Sequence, residues 1–241
     1  MTRPGSASGS SDSKIPTLLD ELFDAERSVR RAHIDLVDAD ANELLPALEK
    51  AAKESFANDD EDEKALRLVR IAAVLGELEG PKPVDLLIDI LGADEPEARH
   101  AAGVALEDLA YDRFKEVALG VERALERLPK GNLALSELPY LLADIPEGGV
   151  MKLLGRFLTH ADPEAVAAGL EALVEFGDPS ASPLILPLEK DKRQVTLEDD
   201  EGEEGKVTIG ELAIEARQIL AASAAGSSTP EPGPPGARDK R

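Results

Sequence analysis

The stretch VDLLIDILGADEPEARHAAGVALEDL, Val84 to Leu109, returns without a gap as MKLLGRFLTHADPEAVAAGLEALVEF, Met151 to Phe176. Proline sets the register, since Pro163 lies 67 residues after Pro96. At that offset Leu86, Leu87, Leu91, Pro96, Glu97, Ala98, Ala101, Ala105 and Leu106 meet identical residues, nine identities in 26 positions. Nearly all of them fall on one apolar helical stripe, which marks a structural repeat. Each copy reads as a helix, a turn ending in an acid followed by Pro-Glu, and a second helix. An interval of 67 residues therefore holds two units of about 33 residues each. The chain is expected to be a stack of helical hairpins.

Working outward, the stretch before the repeat predicts three more helices. Residues Met1 to Lys14 are rich in Ser and Gly and lack anchoring apolar residues, so they are expected to form a disordered tail. Ile15-Pro16 opens a first helix striped by Leu18, Leu19, Leu22 and Phe23, read as the start of the stack. Ala41 to Phe56 is the second, with Leu44, Leu45, Leu48 and Ala52 inward and Pro46 tolerable in its first turns. The acids from Asn58 to Glu63 are read as a loop. They lack the spaced Asp and Gly of an EF-hand, and acids before a helix are favoured by its dipole. Ala65 to Leu78 follows as a helix, ended by Gly80-Pro81.

Beyond Leu109, the residues Phe114, Val117, Val121, Leu125 and Leu128 predict a separate helix. Pro129 to Gly149 is broken by prolines and glycines but keeps Leu135, Leu138, Leu141 and Leu142, a degenerate repeat helix. Leu184 to Leu188 predicts another. After Lys190 the period changes to two. Gln194 to Glu198 and Lys206 to Ile209 alternate around an acidic, Gly-containing loop, Glu198 to Glu204, and read as a β-hairpin over about 194 to 209. It serves either as a cap over the last apolar face or as a contact element. Thr208-Ile209-Gly210-Glu211 then fits a capping box opening a final helix. Ser223 to Arg241, rich in Pro, Gly and Ser, reads as a flexible tail. The domain layout is a tail over 1 to 14, one repeat domain over 15 to 222, and a tail over 223 to 241.

Composition narrows the chemistry. Aromatics make up 3% of the 241 residues and tryptophan is absent, so the core must be built of small aliphatic side chains, which suits closely stacked helices. The absence of cysteine excludes disulfides, thiolate catalysis and Cys-ligated zinc. No apolar run reaches the roughly 18 to 20 residues of a membrane span, and the N-terminus lacks the basic-then-apolar pattern of a signal peptide, so no membrane partner and a soluble cytoplasmic protein are expected. Usage rich in Ala, Gly, Pro and Leu resembles that of a high-GC bacterial genome. The net charge is −22, and since each tail carries a charge of +1, the segment between them carries −24. Such acidity repels phosphate backbones and argues against nucleic acid as a partner.

No residue pattern points to catalysis. The histidines lie far apart in sequence, His100 aligns with Ala167, and His160 falls in an inter-helix turn. No short metal-ligand spacing, nucleophile elbow or Gly-rich phosphate loop is present. The expectation is a non-enzyme with no cofactor and no metal.

The unit with Asp/Glu-Pro-Glu-Ala opening one helix, Ala and Leu along it, and Gly177-Asp178-Pro179 leading to Pro183-Leu184 and Leu188 resembles a short HEAT-like repeat of the phycobilisome lyase type. The resemblance covers about Ala65 to Leu188. It implies an all-α HEAT-like α-solenoid, here with a small β-hairpin before the C-terminal capping helix. It also implies a binding surface on the second helix of each unit, which normally faces the concave side. On those helices Asp85 and Asp89 align with Lys152 and Arg156, each pair spaced i, i+4 on one face, and Lys115 flanks them. The ridge reverses charge along the chain, and these five residues are the candidate partner-binding site for a protein with a basic or bipolar surface. The function expected is a non-catalytic protein-binding adaptor or regulatory scaffold. Two rivals follow from the resemblance: a regulator of a bacterial Ras-like polarity GTPase or of its activating protein, and a phycobilin lyase-like enzyme subunit. The scarcity of aromatics leaves little to line a bilin pocket.

Overall fold

A computed structural model describes residues 14–198 and 204–226. These residues form an all-α fold of ten α-helices, with one two-stranded antiparallel hairpin before the last helix. The backbone divides into two units, Met1–Pro46 and Ala47–Arg241. Most of the expected tails, and the hairpin loop between Glu198 and Glu204, fall on residues 1–13, 227–241 and 199–203, outside the described residues.

In the first unit, helix α1 runs Lys14–Val37, so Lys14 belongs to the helix rather than to the tail. None of its residues is buried. Leu18, Leu22 and Phe23, expected to begin the core, are 59%, 61% and 52% exposed. Periodicity places apolar side chains on one face but says nothing of what covers that face. The turn to α2 (Ala41–Phe56) is held by Asp40, whose carboxylate accepts the Asn42 N–H at 2.9 Å. The α2 boundaries match the sequence expectation.

The second unit is built from pairs of helices. Helix α3 is Glu61–Leu75, capped by Asp60, which accepts the Glu63 N–H at 3.1 Å. The acidic run expected as a loop is thus half cap and half first turn, where carboxylates meet the free amides of the helix N-terminus. Helix α4 is Pro81–Leu91. Helix α5, Pro96–Arg127, consists of two helical halves that meet at a kink at Arg113, where the sequence reading separates a helix ending at Ala110 from one starting near Phe114. No proline interrupts it, and the chain bends at Arg113 alone (φ −138°, ψ 48°). The bend is tied to the loop before α4: Arg113 Nη2 donates to Leu78 O at 2.9 Å, and Gly80 N–H donates to Glu116 at 2.6 Å. Helices α6 (Ala134–Ala143), α7 (Val150–Phe157) and α8 (Pro163–Phe176) follow. The helix expected near Leu184 is only one turn, α9 (Ser182–Ile185), set between 3-10 turns at Pro179–Ala181 and Leu186–Lys190. Pro187 lacks the amide hydrogen that would donate back to Pro183 four residues earlier, which keeps a longer helix from forming, while Pro183 stands in the first turn, where proline is tolerated.

Helices α3, α5, α6, α8 and α10 pack in succession, while α4 packs on α5 and α5 on α7. The 67-residue register holds in space: Leu87 and Leu154 are both fully buried, as are Leu106 and Leu173. The second half of α5 with α6 is the intervening unit. The turn acids are equivalent as well. Glu95 and Asp162 are 8% and 3% exposed, and each reaches a partner 31 residues earlier. Glu95 pairs with Lys64 Nζ at 2.9 Å, and Asp162 accepts the Gly131 N–H at 2.6 Å while capping α8 through the Glu164 N–H. Lys64 and Gly131 are themselves 67 residues apart.

At the C-terminal end, β1 (Gln194–Glu198) pairs with β2 (Glu204–Thr208), Val195 opposite Val207. Thr208 and Glu211 make the reciprocal capping box: Thr208 N–H to the Glu211 carboxylate at 2.9 Å and Glu211 N–H to Thr208 Oγ1 at 3.2 Å. The helix it opens, α10, runs Ile209–Gly226, so Ser223 continues the helix where a tail was expected. Among the described residues no helix is long and apolar enough to cross a membrane.

Candidate partner-binding surface

The ridge residues lie on α4, the second half of α5 and α7. Their placement starts from a close approach. Gly120 on α5 faces Val84 on α4, and a Cβ at Gly120 would stand 2.4 Å from Val84 Cγ1. Glycine there lets the two helices touch backbone to side chain. One turn on from Gly120 is Arg123, and next to Val84 is Asp85.

Asp85 is therefore engaged. Arg123 Nε donates to both of its oxygens, at 3.0 and 3.1 Å, and Nη2 lies 2.8 Å from Oδ1. One helical turn along, Arg127 Nη1 meets the Asp89 carboxylate at 2.5 Å and Nη2 donates to Asp85 O at 3.0 Å. On the next helix Arg156 Nη1 donates to Glu122 at 3.2 Å. The ridge expected to carry bare negative charge at one end and bare positive charge at the other is thus tied across helices by counter-charges from the second half of α5. The offset of 67 compares the first unit with the third and steps over the helix that neutralises both.

Of the five candidates, Asp85, Asp89 and Arg156 are held in these pairs, while Lys115 and Lys152 are exposed and make no ion pair with another described residue. Lys115 borders a cleft with Phe114, Leu119 and Glu147, and Leu119 is 47% exposed. The Asp89 carboxylate sits half-buried, and burial pushes its pKa up against the pull of Arg127. Sequence reasoning missed Glu122, Arg123 and Arg127. The signal available was the shared spacing, since Arg123 and Arg127 stand four apart as Asp85 and Asp89 do.

Elsewhere, Tyr140 donates to Glu171, and the Tyr140 hydroxyl is raised in pKa by burial and by that carboxylate. His100 is exposed, and His160 Nδ1 accepts the Asp162 N–H at 3.1 Å. Among the described residues no three His, Asp or Glu side chains gather where they could hold a metal ion. A second concavity, of about 530 Å³, lies between α8, β1 and α10, lined by Leu170, Val174, Leu197, Leu212 and Ile219 and edged by Glu175 and Glu215.

No family model and no curated protein matches the chain. Among solved structures it is similar to crystal structures of two engineered proteins. One is 16% identical, covers 81% of this chain and 97% of its own, and has a TM-score of 0.32. The other is 19% identical, covers 89% and 95%, and has a TM-score of 0.34. Likenesses of that degree carry no argument about function.

Proposed function

We propose that the protein is a non-catalytic protein-binding adaptor or regulatory scaffold built on HEAT-like repeats, and that the ridge of α4, the second half of α5 and α7 receives its partner. One observation carries the reading. Three inter-helix ion pairs hold the long side chains of this ridge in fixed positions, and beside them Lys115 and Lys152 are exposed and have no ion pair with another described residue. A surface arranged in this way loses little side-chain entropy on binding, because its arginines are already ordered. The two lysines then supply attraction to carboxylates, and the exposed Leu119, one turn along α5 from Lys115, supplies an apolar contact. The partner that fits is a protein with a bipolar surface, acidic where it meets the lysines.

The test is the double reversal Lys115→Glu with Lys152→Glu. Both side chains are exposed and have no ion pair with another described residue, so melting should shift by no more than about 0.5 kcal/mol in stability. A partner cross-linked to the wild-type protein and then titrated against both forms should bind the variant at least about tenfold more weakly, a cost of about 1.4 kcal/mol. The gap should narrow as salt rises. Equal affinities at low salt would remove the ridge and turn attention to the groove between α8, β1 and α10. Reversal of Arg156 is a poorer test, because a glutamate there would face Glu122 and disturb the fold itself. An absorbance spectrum after adding bilin to the purified protein tests the lyase-like rival directly.

A further inference from the structure

Helix α1 carries a pattern that the ridge does not use. Ile15, Leu22, Val29 and Leu36 recur every seven residues, and Leu18, Ala25 and Ala32 fall between them at the spacing of the second seam position of a heptad. The helix is 24 residues long, about 36 Å at 1.5 Å per residue, so the seam runs through three heptads. It is exposed along its length: Ile15 65%, Leu18 59%, Leu22 61%, Val29 37% and Leu36 42%. A stripe of this kind in water is an association surface.

We propose that α1 pairs antiparallel with the α1 of a second copy of this chain. Size complementarity sets the register. With Ile15 of one copy level with Ala32 of the other, Leu22 faces Ala25 and Leu18 faces Val29. Dyad symmetry repeats each layer, giving six layers in which a large side chain meets a smaller one. Charge agrees with size. In this register Lys14 flanks Asp35 of the other copy at both ends of the seam, and neither residue has an ion pair with another described residue of its own chain. Glu21 falls beside Ser28, which is uncharged. The parallel, in-register alternative places Glu21 beside Glu26 of the other copy twice, and like charges at flanking positions select against that pairing. A second copy thus supplies, from its own sequence, the apolar seam, the small residues opposite the large ones and the counter-charge for both ends. The contact is isologous and closes at a dimer.

The full chain tests the proposal. Its mass in solution, measured by light scattering across a wide concentration range, should be twice 25.6 kDa. Leu22→Glu with Val29→Glu should return it to one chain, while the melting of the remaining helices stays in place. Because the sequence contains no cysteine, orientation can be read by cross-linking. Leu18→Cys mixed with Val29→Cys should form a disulfide-linked pair under mild oxidation, and either variant alone should form much less. Lys14→Glu should weaken the dimer, and adding Asp35→Lys to it should restore association. A chain that stays single at every concentration overturns the proposal, as does a dimer that survives Leu22→Glu with Val29→Glu. Efficient linking of Leu18→Cys to itself overturns the antiparallel orientation. Loss of the dimer and loss of partner capture by the ridge variant are separate readouts, so the two proposals can fail independently.

Discussion

Gly120→Ala is the most direct probe of how the ridge is made. In an ordinary helix interior this change stabilises by about 1 kcal/mol, because alanine loses less backbone entropy than glycine. Here the added methyl would stand 2.4 Å from Val84 Cγ1, with Ile88 Cδ1 at 3.5 Å on the other side. Val84 and Ile88 are 1% and 0% exposed, so neither can swing into solvent. Overpacking of that kind costs roughly 1 to 3 kcal/mol. The net expectation is destabilisation by about 1 kcal/mol, opposite in sign to the helix-propensity effect. Val84→Ala alone removes two buried methylene equivalents, at about 0.8 kcal/mol each before any cavity term. Together the two changes relieve one another, because the space vacated by valine accepts the new methyl. The double variant should therefore be more stable than the sum of the singles predicts by about 1 kcal/mol or more. Urea unfolding followed by circular dichroism gives all four corners of the cycle. A stabilising Gly120→Ala, with singles that add within about 0.5 kcal/mol, would show that α4 and the second half of α5 do not approach as described. The ion pair of Asp85 with Arg123 would then lose its structural basis.

Three further outcomes follow from the same geometry. Leu87→Ala and Leu154→Ala, fully buried at equivalent positions, should each cost roughly 2 to 5 kcal/mol in chemical denaturation, and a neutral Leu154→Ala beside a severe Leu87→Ala would break the repeat register. Thr208→Ala removes the cap of α10 and should cost about 0.5 to 2 kcal/mol by the same assay, with Thr208→Ser recovering most of the loss. Burial raises the Asp89 pKa in the folded state above the ordinary carboxyl value of 3.8, so just above that pH the folded chain holds more protons than the unfolded one. Wild type should then gain stability relative to Asp89→Asn as pH falls through the window just above 3.8, and a difference that moves the other way would contradict the burial of that carboxylate.

Much of the fold was legible because it rests on local chemistry. The Asp-Pro-Glu turn, the stripe at helical spacing and the Thr208–Glu211 box each involve residues within a few positions of one another, and the structure places them as read. The 67-residue interval was legible because one geometry imposed twice selects the same residues twice. The break between the helix ending at Ala110 and the one starting near Phe114 was legible too, and the kink at Arg113 that makes it is held by hydrogen bonds reaching back to Leu78 and Gly80 more than thirty residues away. Where the sequence misled, the deciding term was faint. The helix expected near Leu184 had the right apolar spacing, yet Pro187, four residues after Pro183, cut it to a single turn.

The ridge shows why an internal repeat is a better guide to architecture than to a site. Aligning first and third units compares residues that share an environment, so the conserved apolar positions mark true core. Charged positions differ in kind, because their energy depends on the neighbouring unit rather than on the equivalent one. Asp85 and Asp89 owe their state to Arg123 and Arg127, which stand 38 residues away and belong to the unit in between. Arg156 likewise answers to Glu122, 34 residues back. In a stacked fold with units of about 33 residues, side chains on adjacent helices meet at separations near one unit, never two. Reading charges at one-unit separation would have paired these residues from the sequence. Among the described residues of the ridge, that pairing leaves over Lys115 and Lys152, and it is to them that the proposed partner contact falls.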